Sequence, residues 1–318
     1  MKFQAFLFIM IYFPFGLIAQ YAPPAGEEGS TAIYVDSSVF VAWAWRCDVK
    51  RGWINISDTT LGEVSYGNNT DALGKADNSV VSLGDAGEAV VYFEYPVTNG
   101  PGWDFAVFEN AFDDTFLELA FVEVSSDSVN FYRFPSVSLT QTAEQIDTFG
   151  DVYAEKIYDL AGKYRVLYGT PFDLEELKNE PGLDVNNIVA IKLIDVVGSI
   201  SDIYARYDSR MNKINDPWPT PFNTGGFDLD AVGVIHNTIN NGVVLTDVKE
   251  IKVYPNPCYD VLKISGDIRK ITVRDLTGKL LGVSKSSTMD VSNYKVGMMV
   301  LEITTKDGER NFFKVIKR

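Results

Sequence analysis

Histidine and cysteine are nearly absent, with one of the first and two of the second in 318 residues. A single histidine, His236, excludes a metal centre built on several imidazoles, and Cys47 and Cys258 are too few for a disulfide framework. The two cysteines fall in segments of different character and read as unrelated thiols, a bridge between them being the alternative. No Gly-x-Ser-x-Gly turn occurs, and a serine or cysteine triad would have to form around His236, so nucleophilic hydrolysis has little support. Basic residues are also scarce: 28 Lys and Arg against 43 Asp and Glu leave a formal charge of −15. That balance disfavours nucleic acid and anionic membrane surfaces as partners. Beyond the N-terminus no stretch reaches the ~20 apolar residues of a membrane span.

What is present is unevenly distributed. Residues 1–250 hold 36 acidic and 15 basic side chains, and residues 251–318 hold 7 and 13, so the charge is about −21 before the division and about +6 after it. Two separately evolved domains would give such a reversal. At the N-terminus Lys2 precedes an apolar run from Phe3 to Ile18, followed by the small Ala19. This reads as a signal peptide over 1–19; a membrane anchor is the alternative, but the run is short and interrupted by Pro14 and Gly16.

Short β-branched and aromatic runs follow at 88–95, 104–109, 117–125, 152–158, 188–197 and 230–235, separated by Gly, Asn, Asp and Pro. Their density predicts an all-β domain over 20–236, an antiparallel sandwich. Helix is expected only at 172–179, where Asp173 is positioned to cap one or two turns. The stretch 199–226 lacks periodicity and is too long for an ordinary connection, so it is either a functional loop or partly disordered. Residues 237–249 read as a polar linker, and 250–318 as a small domain of about seven strands.

That last segment opens on Tyr254-Pro255-Asn256-Pro257 and has an aspartate-led turn ending in Gly278-Lys279. A Gly-containing turn at Val296-Gly297-Met298-Met299 and the basic end Lys314 to Arg318 complete the pattern. It resembles the C-terminal sorting domain of the type IX secretion system of Bacteroidetes, an Ig-like β-sandwich, although Met298-Met299 stand where small and aromatic residues are usual. The resemblance implies type IX secretion machinery as a partner and a secreted or outer-surface location.

In the larger segment, Val122-Glu123-Val124-Ser125 with an Asp127-Ser128 turn, the run 188–197, and Asp228-Leu229-Asp230-Ala231-Val232 resemble the galactose-binding-like jelly rolls of discoidin domains. Residues 21–236 also resemble a family of bacterial cell-surface proteins carrying DFAVFEN, LAFVEVSSD, GTPFDL, DPWPTPF and GGFDLDAVGV in this order. Some members are encoded near vitamin B12 uptake receptors, which brings corrinoid capture into consideration. Related jelly rolls hold a structural calcium with a final-strand aspartate and an early glutamate. The resemblance thereby assigns calcium to Glu109 with Asp228 or Asp230; solvated turn acids are the alternative. Period-two geometry would place Asp228 and Asp230 on one face, and oxygen ligands suit this hard cation.

Stacking supplies the other candidate site, because sugar rings and flat macrocycles bind on exposed aromatic faces. Trp218, with Tyr204, Tyr207 and Phe222, lies in the 199–226 loop, and Trp43, Trp45, Trp53 and Trp103 are alternatives. Three readings follow: a non-catalytic surface module binding a glycan or corrinoid, a structural or adhesive surface protein, and a carboxylate-dependent glycoside-active enzyme.

Overall fold

The structure, a computed structural model, describes residues 21–239, 251–266, 268–306 and 310–318. The signal-peptide segment and most of the expected linker lie outside these residues. The chain divides into two compact units, Met1–Gly242 and Val243–Arg318.

The first unit is an antiparallel sandwich. One sheet runs in the order Ile33–Tyr34, Tyr168–Phe172, Phe105–Glu109, Asp228–Val234, Ala42–Trp43, with Val81–Ser82 added on Asp228–Val234. The other runs Arg46–Lys50, Glu88–Val97, Ile188–Asp195, Ala120–Ser125, Tyr132–Arg133. Alternation decides which side chains meet between them. Val91, Val122, Val124, Ile191 and Leu193 come from one sheet, and Phe105, Val107, Phe172, Leu229 and Val232 from the other, into a shared buried core. Phe105 and Phe172 stack there at 5.2 Å. Pro96, which has no N–H to donate, lies within an irregular stretch of its strand, where the register shifts between Ala190 opposite Tyr92 and Ile188 opposite Val97.

Strand Asp228–Val234 is buried along its whole length. Its outer side is covered by Val35, Phe40, Trp43, Ala76 and Phe108. A second small core, with Leu117, Leu119, Phe121, Ile146, Val152, Val196 and Ile214, packs irregular chain onto the sandwich. The 199–226 stretch is therefore folded, with Ile214 in that core and Asp216 accepting from the Leu119 N–H at 2.8 Å. The only helical pieces among the described residues are four 3-10 turns, one of them Leu174–Leu177, where Asp173 accepts from the Glu175 N–H at 2.9 Å. The expected strand at 152–158 is reduced to Ile157–Tyr158, because a 3-10 turn, Ala154–Lys156, precedes it. The linker begins later than the polar composition suggests: Asn237 bridges to Val97 and the Thr238 N–H donates to Pro96 O at 3.0 Å. Those bonds keep both residues in the first unit.

The second unit has seven strands in two sheets, three with Lys252–Tyr254, Val261–Ser265 and Thr288–Asp290, and four with Leu280–Ser284, Ile268–Asp275, Gly297–Thr305 and Arg310–Lys317. Leu262, Ile264, Ile271, Val273, Leu301, Ile303 and Val315 form its core. Asp275 accepts from the Thr277 and Lys279 N–H groups at 2.9 and 3.0 Å, and Gly278 supplies the left-handed residue (φ 84°) that closes this turn. The Tyr254-Pro255-Asn256-Pro257 opening has a mechanical role. Asn256 donates to Lys314 O at 2.9 Å and accepts from the Ile316 N–H at 3.0 Å, fastening the start of the unit to its last strand. Each cysteine is a buried free thiol, Cys47 and Cys258 sitting in the cores of their respective units.

Calorimetry of the full chain is expected to show two separable transitions. Asn256→Ala, at an exposed position, should lower the smaller unit's stability by about 1 kcal/mol and leave the larger unit's transition in place. A single transition that moves as a whole would contradict the division.

Candidate functional site

Three irregular segments converge at one end of the first unit. After strand Phe105–Glu109, Asp113 accepts from the Thr115 and Phe116 N–H groups, both at 2.8 Å, and turns the chain so that Phe112 points outward. Asp114 pairs with Arg165 at 2.6 Å and fixes the next residue of the same loop. A turn at 147–150, closed by Gly150 N–H to Asp147 O at 3.0 Å, carries Phe149, and Thr148 Oγ1 donates to Pro219 O at 2.7 Å. A turn closed by Gly225 N–H to Phe222 O at 3.1 Å carries Phe222.

The result is a row of four rings. Phe112 and Phe116 lie 6.1 Å apart at 20°, Phe116 and Phe149 6.1 Å apart at 36°, and Phe149 and Phe222 6.0 Å apart at 29°. Phe112 is 81% exposed and Phe149 74%. Burying one such side chain is worth about 1.5–3 kcal/mol, so folding alone gives no reason to leave a contiguous row in water.

The row borders a cavity of ≈ 370 Å³, which Tyr66, Asn110, Glu118, Thr148, Thr220 and Asp228 also line. Asp228 is 6% exposed and its Oδ1 has no hydrogen-bond partner. With its amide turned so that nitrogen donates, Asn110 bridges Asp228 Oδ2 at 3.3 Å and Glu109 Oε1 at 3.1 Å. Glu109 Oε2 accepts from the Ala111 N–H at 2.7 Å. Burial, reinforced by the charge of Asp228, holds the Glu109 carboxyl well above the usual carboxylate range. Glu118 is held well above it by the same burial and by Asp228, Glu109, Asp216 and Asp195. Burial pushes Asp228 up to about 7.

The proposed calcium set is divided by the structure. Glu109 and Asp228 are neighbours, but Asp230 accepts from the Asp77 and Asn78 N–H groups at 3.1 and 3.0 Å and clamps that turn. The cause is a register shift between Leu229 and Ala231, which inserts an extra residue at Asp230 and breaks the simple period of two. Among the described residues no group of three or more His, Cys, Asp or Glu is arranged to hold a metal ion. Of the loop aromatics, Phe222 lines the cavity and Tyr204, Tyr207 and Trp218 do not. Trp218 packs on Tyr204 at 6.2 Å and donates through Nε1 to Asp85 at 3.1 Å, a fastening of the loop, while Tyr207 is paired across from Lys213. His236 Nδ1 lies 2.8 Å from Asp104 Oδ1, and the same carboxylate accepts from the Gly100 and Leu174 N–H groups, so this pair fastens loops to the strand end.

Sequence reasoning missed Tyr66, Phe112, Phe116 and Phe149. A signal was available for three of them: Asn110-Ala111-Phe112-Asp113-Asp114-Thr115-Phe116 and Asp147-Thr148-Phe149-Gly150 set phenylalanine among turn formers, where no strand can bury it.

Residues 252–318 match the family of the secretion system C-terminal sorting domain. A sorting tail occupies these residues. It implies engagement with the type IX secretion machinery and supports a secreted or outer-surface location for the protein that carries it. No helix among the described residues is long and apolar enough to cross a membrane. No curated protein matches the chain. Among solved structures it is similar to PorZ, an essential surface component of the type IX secretion system of Porphyromonas gingivalis, at 12% identity over 83% of this chain and 34% of that one, with a TM-score of 0.21. It is also similar to a β-glucuronidase from Ruminococcus gnavus solved with D-glucuronic acid, at 11% identity over 95% of this chain and 48% of that one, with a TM-score of 0.20. The sorting-tailed chain spans less than half of either structure, and likenesses at these scores carry no argument about its fold or activity.

Among the buried carboxyls of the first unit displaced upward chiefly by burial, Asp85 and Asp230 reach about 6, Asp228 about 7 and Asp195 about 8. An unfolded chain would release those protons near pH 4. The stability they contribute is fully present below that pH and is lost as pH rises through 6 to 8. The larger unit of the sorting-tailed protein should therefore melt roughly 10 °C lower at pH 8 than at pH 5. A melting temperature that is flat or rises over this range would contradict the carboxyl assignments.

Proposed function

We propose that the first unit is a non-catalytic binding module, delivered to the cell surface by its sorting tail, and that the cavity takes a terminal sugar of a glycan. The observation that carries this reading is the phenylalanine row standing beside a wall of carboxyl, amide and hydroxyl groups. The C–H faces of a pyranose stack on aromatic rings, while its hydroxyls donate to acids and amides that fix its orientation. The volume of ≈ 370 Å³ lies toward the small end of ligand pockets, about 300–1,000 Å³. One sugar ring fits such a space, and a corrinoid would have to lie across the rim, so the glycan is the better match.

One observation favours a second reading. Glu118 and Asp228 are adjacent carboxyls with raised proton affinity in one cavity, which is also the chemistry of glycoside hydrolysis.

A glycan array probed with the full chain tests both. The expected result is retention of a defined class of glycan ends, weakened about tenfold or more by Phe149→Ala and by Phe222→Ala with little change in melting temperature. Release of reducing sugar from the retained glycans would replace binding with hydrolysis. Absence of retention, or equal retention by both variants, would contradict the site.

A further inference from the structure

The cavity has an electrostatic deficit that a neutral sugar would leave in place. Asp228 lines the cavity, and its buried Oδ1 makes no hydrogen bond within 3.5 Å, the Ser82 hydroxyl being the polar group that acts on this carboxyl. Glu118 is 9% exposed, lines the same space, makes no hydrogen bond or ion pair among the described residues, and faces the carboxyls of Asp228, Glu109, Asp216 and Asp195. Arg51 is the positive side chain that acts on Asp228, and its hydrogen bonds go to backbone carbonyls rather than to that carboxyl. It donates through Nη1 to Tyr66 O at 2.7 Å and Ser82 O at 2.5 Å, and through Nη2 to Gly67 O at 2.6 Å. Two acids therefore meet in the cavity, and neither makes an ion pair with a basic side chain among the described residues.

Resting on the sugar-binding reading above, we propose that the ligand is an amino sugar with a free, positively charged amine, seated between Asp228 and Glu118 and flanked by the phenylalanine row. An ammonium group brings three N–H donors to a pair of carboxyls of which Glu118 accepts no hydrogen bond, and its charge removes the repulsion between the acids. Aromatic faces also attract a cation, so Phe112, Phe116, Phe149 and Phe222 contribute through the ring quadrupole as well as by stacking. An N-acetylated sugar lacks the charge, and a uronic acid adds a further negative one. The charge of about −21 over residues 1–250 works in the same direction, because it raises the local concentration of cations around the unit.

Isothermal titration of the full chain at pH 7.5 with glucosamine, glucose, N-acetylglucosamine and glucuronic acid tests the proposal. Glucosamine is expected to bind at least tenfold more tightly than glucose or N-acetylglucosamine, a difference of about 1.4 kcal/mol, and glucuronic acid more weakly than either. Asp228→Asn and Glu118→Gln keep side-chain shape and remove charge, so each should bring the glucosamine-to-glucose ratio toward one while the melting temperature stays level or rises. Equal binding of glucose and glucosamine to the unmodified chain would overturn the amine and leave the sugar site standing. Binding of none of the four would remove the site and the amine together. Calcium chloride that binds at Asp228, with binding lost in Asp228→Asn and glucosamine unable to compete, would put a metal ion where the amine is proposed and overturn it.

Discussion

The larger unit depends on buried carboxylates that accept hydrogen bonds from backbone N–H groups, nearly all of them outside the strands. Asp195 holds Ala86 and Val197 on one oxygen and Phe227 on the other, at 2.8–3.0 Å. Asp208 holds Ser138, Arg210 and Asn212, Asp230 holds Asp77 and Asn78, and Asp216 holds Leu119. Irregular chain packed against a sandwich has no ladder to satisfy its amides, and each amide left unpaired in the interior costs about 1–3 kcal/mol. An aspartate answers two or three of them at once. The cost is a set of acids removed from water, visible in their raised proton affinities.

Asp228 and Glu118 depart from that pattern, as Asp159 also does. They are as buried as the clamping acids but hold no backbone amide, and both border the one aromatic-lined cavity described. Asp228 shares one oxygen with the Asn110 amide, and Glu118 makes no hydrogen bond among the described residues. Asp195 fastens Phe227 at the end of the loop that carries Phe222, while the turn that carries Phe149 is held by the Ile146 N–H to Asn215 and by Thr148 to Pro219.

Much of the architecture was legible in the sequence because it rests on local patterns. The alternation in Glu88–Val97 and Val261–Ser265, the turn at Asp275 to Lys279 and the Tyr254-Pro255-Asn256-Pro257 opening each carry their structural reason within a few residues. The site was legible only in part. Glu109 and Asp228 come together as expected, and Phe222 lines the cavity. Asp230 does not join them because one extra residue in its strand hands its carboxylate to a turn 150 positions away in sequence, which no local spacing reports. Trp218 drew attention as an unpaired aromatic in a loop, yet its partner, Asp85, comes from a segment far upstream. Phe112, Phe116 and Phe149 were overlooked for the opposite reason: their turns are local and readable, but the row they form depends on three separate loops meeting.

Amide hydrogen exchange on the full chain tests the role of the clamping carboxylates most directly. The N–H groups of Ala86, Val197, Phe227, Asp77, Asn78, Ser138, Asn212 and Leu119 are predicted to exchange as slowly as those in the central strands Ile188–Asp195 and Asp228–Val234, although none of them belongs to a strand ladder except Ser138. Exchange of these amides at the rate of unprotected loop would contradict the account, since the loops would then be held by something other than the buried acids.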